Sequence, residues 1–117
     1  MYNYNKVDER IVKELKSILG DRAVIFEDKE ALANYASDES GKHYSHMPDV
    51  VVKPENAEQI SKLLRLAEKE HIPVTPRGAG SGLAGGSVPI HGGMVVSLER
   101  MNRILEIDKS NLVAVVE

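Results

Sequence analysis

Between Pro76 and Pro89 the chain reads Pro-Arg-Gly-Ala-Gly-Ser-Gly-Leu-Ala-Gly-Gly-Ser-Val-Pro, so that five of its nine glycines fall within residues 78–86. Glycine has no Cβ, takes left-handed φ freely and lets main-chain N–H groups come close to a ligand. Successive N–H groups of this kind form a concave nest for anions, and phosphate or pyrophosphate suits it by charge and size. Two well-known phosphate loops come near this spacing, and neither fits. Gly80-Ser81-Gly82-Leu83-Ala84-Gly85 matches G-x-G-x-x-G, a dinucleotide fingerprint that requires a helix to open on the glycines. The residues that follow, Ser87-Val88-Pro89-Ile90-His91-Gly92-Gly93, open none. Gly80 to Ser87 also approximates G-x-x-x-x-G-K-S, but Gly86 stands where the lysine must reach the phosphates. An anion nest and a glycine-rich turn without a ligand both remain open.

Few other residues carry chemistry. Arg77 has two readings, a cation that neutralises phosphate and a solvated or structural ion pair. His43 and His46 have a chelating spacing, yet Tyr44, Ser45 and Met47 offer no strong third ligand, so no metal site is expected. His71 falls at a helix end, where a cation suits the dipole, and His91 in a turn. Asp38, Glu39, Glu55 and Glu58 read as turn, cap and solvated-face residues. No catalytic residue is assigned.

The elements around the loop follow from periodicity. Val7, Ile11, Leu15, Ile18 and Leu19 recur at helical spacing, with Asn5 as the expected N-cap and Gly20 as the C-terminal glycine. Ala23 to Phe26 reads as a short strand and Lys29 to Ala36 as a helix or turn capped by Asp28. Val50-Val51-Val52 is an unalternated β-branched run, as expected of a strand covered on both faces. Asn56 with Gln59 resembles a capping box, and Ile60, Leu63, Leu64 and Ala67 form an apolar stripe on a helix running to about Glu70. Val74 to Pro76 then re-enters the sheet parallel to Val50–Val52 as a right-handed crossover unit. On this reading Val74 and Thr75 lie inside the sheet, the glycine loop leaves its carboxyl edge, and at least one of Gly78, Gly80 and Gly82 has positive φ. Met94 to Leu98, Ile104 to Asp108 and Leu112 to Val116 are further strands, the last two joined by a turn at Asp108-Lys109-Ser110-Asn111.

Composition excludes several classes. The 117 residues are 42% hydrophobic and 28% charged, which is ordinary for a globular protein. A net charge of −3, with 15 basic residues interleaved among 18 acids, leaves no footprint for nucleic acid. With no cysteine there is no disulfide, thiolate metal site or cysteine nucleophile. The start, Met1-Tyr2-Asn3-Tyr4-Asn5-Lys6, lacks the apolar core of a signal peptide, and no apolar run reaches membrane-spanning length, so a cytoplasmic location is expected.

Two segments place the loop in a wider frame: Pro48 to Pro89, "PDVVVKPENAEQISKLLRLAEKEHIPVTPRGAGSGLAGGSVP", and Gly92 to Asp108, "GGMVVSLERMNRILEID". Their order and spacing resemble the first part of the FAD-binding domain of the vanillyl-alcohol-oxidase and para-cresol-methylhydroxylase (PCMH) superfamily. Within it the likeness is to D-2-hydroxyacid dehydrogenases: glycolate oxidase large subunit, D-lactate and D-2-hydroxyglutarate dehydrogenases. The resemblance implies an α/β (α+β) fold with a small parallel sheet, flanking helices and C-terminal antiparallel strands. It implies that Pro76, Arg77, Gly78, Ala79, Gly80, Ser81, Gly82 and Leu83 wrap the FAD pyrophosphate through their backbone. Ser81 and Ser87 would add hydroxyl donors, and Gly85 and Gly86 a close passage along the cofactor. Members that tether FAD covalently through this loop carry histidine where this chain has Ser81, which implies non-covalent FAD. In the family the flavin does the redox chemistry, and the acid-base residues lie in a separate substrate domain.

The chain closes on Leu112-Val113-Ala114-Val115-Val116-Glu117, a strand-like run with no turn after it. Residues 1–117 are accordingly expected to be the N-terminal portion of a PCMH-type FAD-binding domain, from an enzyme that oxidises a small D-2-hydroxy acid. Alone, the chain is expected to be inactive and to self-associate through its last strand. The competing readings are a stand-alone phosphate- or nucleotide-binding module and an interaction domain with an empty glycine turn.

Overall fold

A computed structural model describes residues 2–117. Helix α1, Glu9–Leu19, begins where the Asp8 carboxylate accepts the Ile11 N–H at 3.0 Å and stops at Gly20, φ 91°. Asp8 is therefore the cap, not Asn5. Asn5 instead serves another helix: its N–H donates to His71 O and its side-chain amide to Glu70 O, satisfying carbonyls that a helix end leaves free. Strand β1, Val24–Ile25, leads to the short helix α2, Lys29–Ala33, with Asp28 accepting the Ala31 N–H as expected.

Strand β2, Val50–Val52, is wholly buried. Helix α3, Ala57–Glu70, opens with Asn56 accepting the Gln59 N–H at 2.9 Å. The Gln59 side chain reaches back to the N–H of Glu55, one residue before the cap. Leu63, Leu66 and Ala67 are its buried residues, whereas Leu64 is 47% exposed, so the stripe lies one flank away from the expected one. His71 ends the helix in a left-handed conformation, and Pro73 prevents its continuation.

Strand β3, Val74–Arg77, and strand β4, Met94–Ser97, complete a four-stranded sheet in the order β1-β2-β4-β3. β2 and β3 both pair parallel with β4, through Val50↔Met94 and Val74↔Met94, and β1 is antiparallel to β2. β3 thus runs parallel to β2 as expected, with β4 between them. One expectation is corrected here: Val74 and Thr75 stand on the edge strand rather than inside the sheet. The chemistry agrees: Pro76 lacks an N–H for a second ladder and fits an edge, while all four residues of β4 are buried.

Alternate β2 residues feed opposite faces. Val50 and Val52 pack with Ile11, Leu15, Leu63 and Met94 on one side; Val51 and Val95 pack with Leu32 on the other. The chain crosses from the 92–93 turn into β4 at Gly93, φ 69°, where an added Cβ would run into Pro73. Strands β5, Ile104–Asp108, and β6, Val113–Val116, form a separate antiparallel hairpin. Asp108 holds its turn by accepting from the N–H and side-chain amide of Asn111.

Candidate functional site

The carboxyl ends of β3 and β4 stand side by side, paired to Arg77↔Ser97, and the Leu98 N–H donates to Arg77 O at 2.9 Å. The glycine loop leaves from this edge, where open α/β sheets take their ligands. Residues 78–91 form turns and no helix, as the rejection of both helix-dependent phosphate motifs required. Gly80 has φ 71° and Gly85 φ 76°. Residues 78–84 with Gly86 and Ser87 line a concavity of about 350 Å³. On its other side the Gly78-Ala79 backbone borders a second hollow of about 380 Å³, shared with Leu98, Glu99, Met101, Asn102 and Glu117.

The polar inventory of this loop is that of an anion nest. The N–H groups of Ala79, Gly80, Ser81, Gly82 and Leu83 donate to no protein acceptor among the described residues. A Cβ on Gly78 or Gly86 would meet nothing within 4 Å, so the backbone there is open to a ligand. The Ser87 hydroxyl is buried and has no partner among the described residues. These groups fit a diphosphate: free donors on a concave surface, backbone without side-chain obstruction, and a hydroxyl awaiting an acceptor.

Behind the loop lies a wall that sequence reasoning missed. The segment after α2 docks on it through Glu39 N–H to Gly82 O at 3.0 Å. Asp38 organises that segment by accepting from the N–H and hydroxyl of Ser40, which lowers its carboxyl below the usual range. Its second oxygen is buried, without a partner among the described residues. The Arg77 side chain is buried; it donates to Ser37 O at 2.8 Å and Asn34 O at 3.3 Å and lies over the Tyr35 ring. Its partners are carbonyls and a ring, so the expected ion pair with a carboxylate is not formed among the described residues.

A charged cluster closes the same edge. Glu99, after β4, accepts from Tyr35 Oη at 2.9 Å and pairs with Lys53 Nζ, after β2, at 2.8 Å. Lys53 and Tyr35 hold the Glu99 carboxyl below its ordinary range; Glu99 raises the Lys53 ammonium, and burial then Glu99 raise the Tyr35 phenol. Periodicity gives no signal for such a cluster, because its members are far apart in sequence.

His43 and His46 are not brought into a cluster. Among the described residues no group of three His, Cys, Asp or Glu could hold a metal. None of the described helices is long and apolar enough to cross a membrane.

Residues 48–117 match the family described as FAD binding domain. The chain belongs to this FAD-binding domain family. FAD is thus its cofactor, and its relatives are FAD-linked oxidoreductases. It is 40% identical over 92 residues to the glycolate oxidase subunit GlcD of Bacillus subtilis, covering 79% of this chain and 20% of that protein. To D-lactate dehydrogenase of Anaerostipes hadrus it is 35% identical over 116 residues, covering 99% of this chain and 24% of the relative. Among solved structures, 4-ethylphenol oxidase from Gulosibacter chungangensis superposes with a TM-score of 0.81 at 27% identity, covering all of this chain and 24% of that one. The fold is that of PCMH-type flavoenzymes, and the chain spans about a quarter or less of the proteins it matches.

Proposed function

We propose that residues 1–117 are the N-terminal portion of a PCMH-type FAD-binding domain whose glycine loop holds the FAD pyrophosphate without a covalent bond. Pro76 sits in the edge strand from which, after Arg77, the chain leaves for the loop. The main-chain N–H groups from Ala79 to Leu83 face the phosphates, Ser81 and Ser87 add hydroxyls, and Gly85 and Gly86 leave room for the cofactor to pass. Ser81 cannot form the histidyl bond by which other members tether flavin. The observation that carries this reading is the run of donors at Ala79–Leu83 without protein acceptors, at the carboxyl edge of a sheet in a chain of this family.

The relatives' names support the substrate class: a small D-2-hydroxy acid of the glycolate or D-lactate type. The chemistry the cofactor would supply, held by the backbone of the 78–86 loop with Ser81 and Ser87, is two-electron acceptance: loss of a hydride from the hydroxyl-bearing carbon and of the hydroxyl proton would turn the 2-hydroxy acid into a 2-oxo acid. This chain's part is to anchor and orient the cofactor. Phosphate capture without burial of the flavin and adenine rings leaves most of the affinity unrealised, so the 117-residue chain alone is inactive, colourless and weak for FAD.

Titration of the 15N-labelled chain with FAD and with inorganic pyrophosphate tests the site. Amide signals of residues 78–84 move first if it is correct. Movement confined to other residues, or a yellow protein with stoichiometric flavin after purification, overturns the site or the weak-binding claim respectively. Full-length protein carrying this sequence that holds flavin but oxidises neither glycolate, D-lactate nor D-2-hydroxyglutarate with an artificial acceptor removes the substrate class.

A further inference from the structure

We propose that Arg77 is the positioning residue of the glycine loop, its guanidinium filling the space that a side chain at position 80 would need and so fixing the Gly80 turn. The inference rests on the proposed pyrophosphate site and says what gives that site its shape. A Cβ built on Gly80 would lie 2.6 Å from Arg77 Cζ and 2.9 Å from Nε, so the guanidinium packs directly against the Gly80 backbone. Gly80 holds φ 71°, a conformation L side chains rarely adopt. Two independent constraints, left-handed backbone and occupied Cβ space, therefore meet at this one glycine. Gly78, two residues away, has neither: its Cβ position is open.

The guanidinium can act as a strut because it is itself held. Its two terminal nitrogens bind different carbonyls, of Asn34 and Ser37, and its face lies 5.5 Å from the Tyr35 ring centroid. Tyr35 is fixed in turn by its hydroxyl on Glu99, which pairs with Lys53. The loop is thereby referred to three parts of the fold: the segment after α2, the end of β2 and the end of β4. A planar fork with several donors can hold two carbonyls and stack on a ring at once; an ammonium cannot. Arg77 forms no salt bridge among the described residues. Its buried charge thus remains uncompensated by carboxylate beside a row of N–H donors, which adds to the pull on an anion.

Two variants of the 15N-labelled 117-residue chain decide the matter, with inorganic pyrophosphate as the probe. Arg77→Lys keeps the charge and loses the fork. It should leave the Val50–Val52 and Val95 amides in place, shift those of residues 79–83, and weaken pyrophosphate binding about tenfold or more. Gly80→Ala tests the same contact from the other side without touching Arg77. It should displace the guanidinium and move the amides of residues 34–37, whereas Gly78→Ala should not. A folded Arg77→Lys protein with residues 79–83 unmoved, or a Gly80→Ala protein with residues 34–37 unmoved, overturns the proposal. If the wild-type chain binds no pyrophosphate, the functional reading fails, while the coupling among Arg77, Gly80 and residues 34–37 is still read from the amide shifts.

Discussion

Ser87 is a hydroxyl that the fold buries without a partner among the described residues, and such a group lowers stability by about 1–3 kcal/mol relative to a satisfied one. Ser87→Ala should therefore leave thermal stability unchanged or raise it. If the hydroxyl donates to phosphate, the same change weakens pyrophosphate binding. Calorimetric melting and titration of the one variant measure both signs, and a loss of stability with unchanged affinity would assign Ser87 to the fold instead. Ser81 differs because it is exposed, so Ser81→Ala should leave stability alone and weaken FAD binding by roughly 1.5–3 kcal/mol, one hydrogen bond to a charged acceptor. Gly80→Val is the severe change. It sets a β-branched residue in left-handed backbone, at about 1–3 kcal/mol of strain, and drives its side chain into Arg77. In the full-length enzyme flavin should be lost and activity with it; retention of both would remove Gly80 from the site.

At the scale of elements, the turn that backs the loop depends on an ionised carboxylate. Ser40 donates to Asp38 and holds its carboxyl below the ordinary range. A depressed carboxyl contributes stability that is present above its unfolded pKa, about 3.9, and is lost as pH falls through the lower folded value. The Glu39–Gly82 contact should accordingly loosen in acid. Amide exchange at Glu39 should rise below about pH 4 while that of Val51 and Val95 stays slow, and Asp38→Asn should show the faster exchange already at neutral pH. If Glu39 exchange is unaffected by acid and by Asp38→Asn, the carboxylate is not what organises the turn.

Which elements were legible follows from the range of the forces that make them. The β-branched run of β2, the Asn56 cap of α3 and the glycine-rich departure from β3 are local signals, and each stands where the sequence puts it. Strand order is not local. The crossover helix fixes Val74–Thr75 as parallel to Val50–Val52 but not its place in the sheet, and only the later apolar run at Met94–Ser97, with Pro76 barred from two ladders, sets β3 at the edge. Likewise Ile60, Leu63 and Ala67 define one line along α3, but Leu64 and Leu66 flank it on opposite sides. Packing against α1 selects Leu66. The loop stood out as a candidate for the same local reason, whereas Asn34, Ser37 and Asp38 reach it from some forty residues upstream, a separation that periodicity does not record.

For the whole molecule, the β5–β6 hairpin sets the outline. The radius of gyration is 15.2 Å, against roughly 13.4 Å for a compact domain of this length. The hairpin forms a sheet of its own, and it exposes Ile104, Leu105, Ile107, Leu112, Val113, Val115 and Val116. A two-stranded ribbon is marginal in water without a layer on its apolar face, and an open edge rich in valine invites another strand. The Arg103–Glu117 pair that closes it is exposed on the arginine side and contributes little. The 117-residue chain should therefore self-associate through this hairpin. Light scattering should give a mass that rises with concentration, and Val113→Lys with Val115→Lys should return it to the monomer while leaving the β2 and β4 amide signals unmoved. A wild-type chain that stays monomeric at high concentration would show that the exposed hairpin tolerates water, and the association claim would fall.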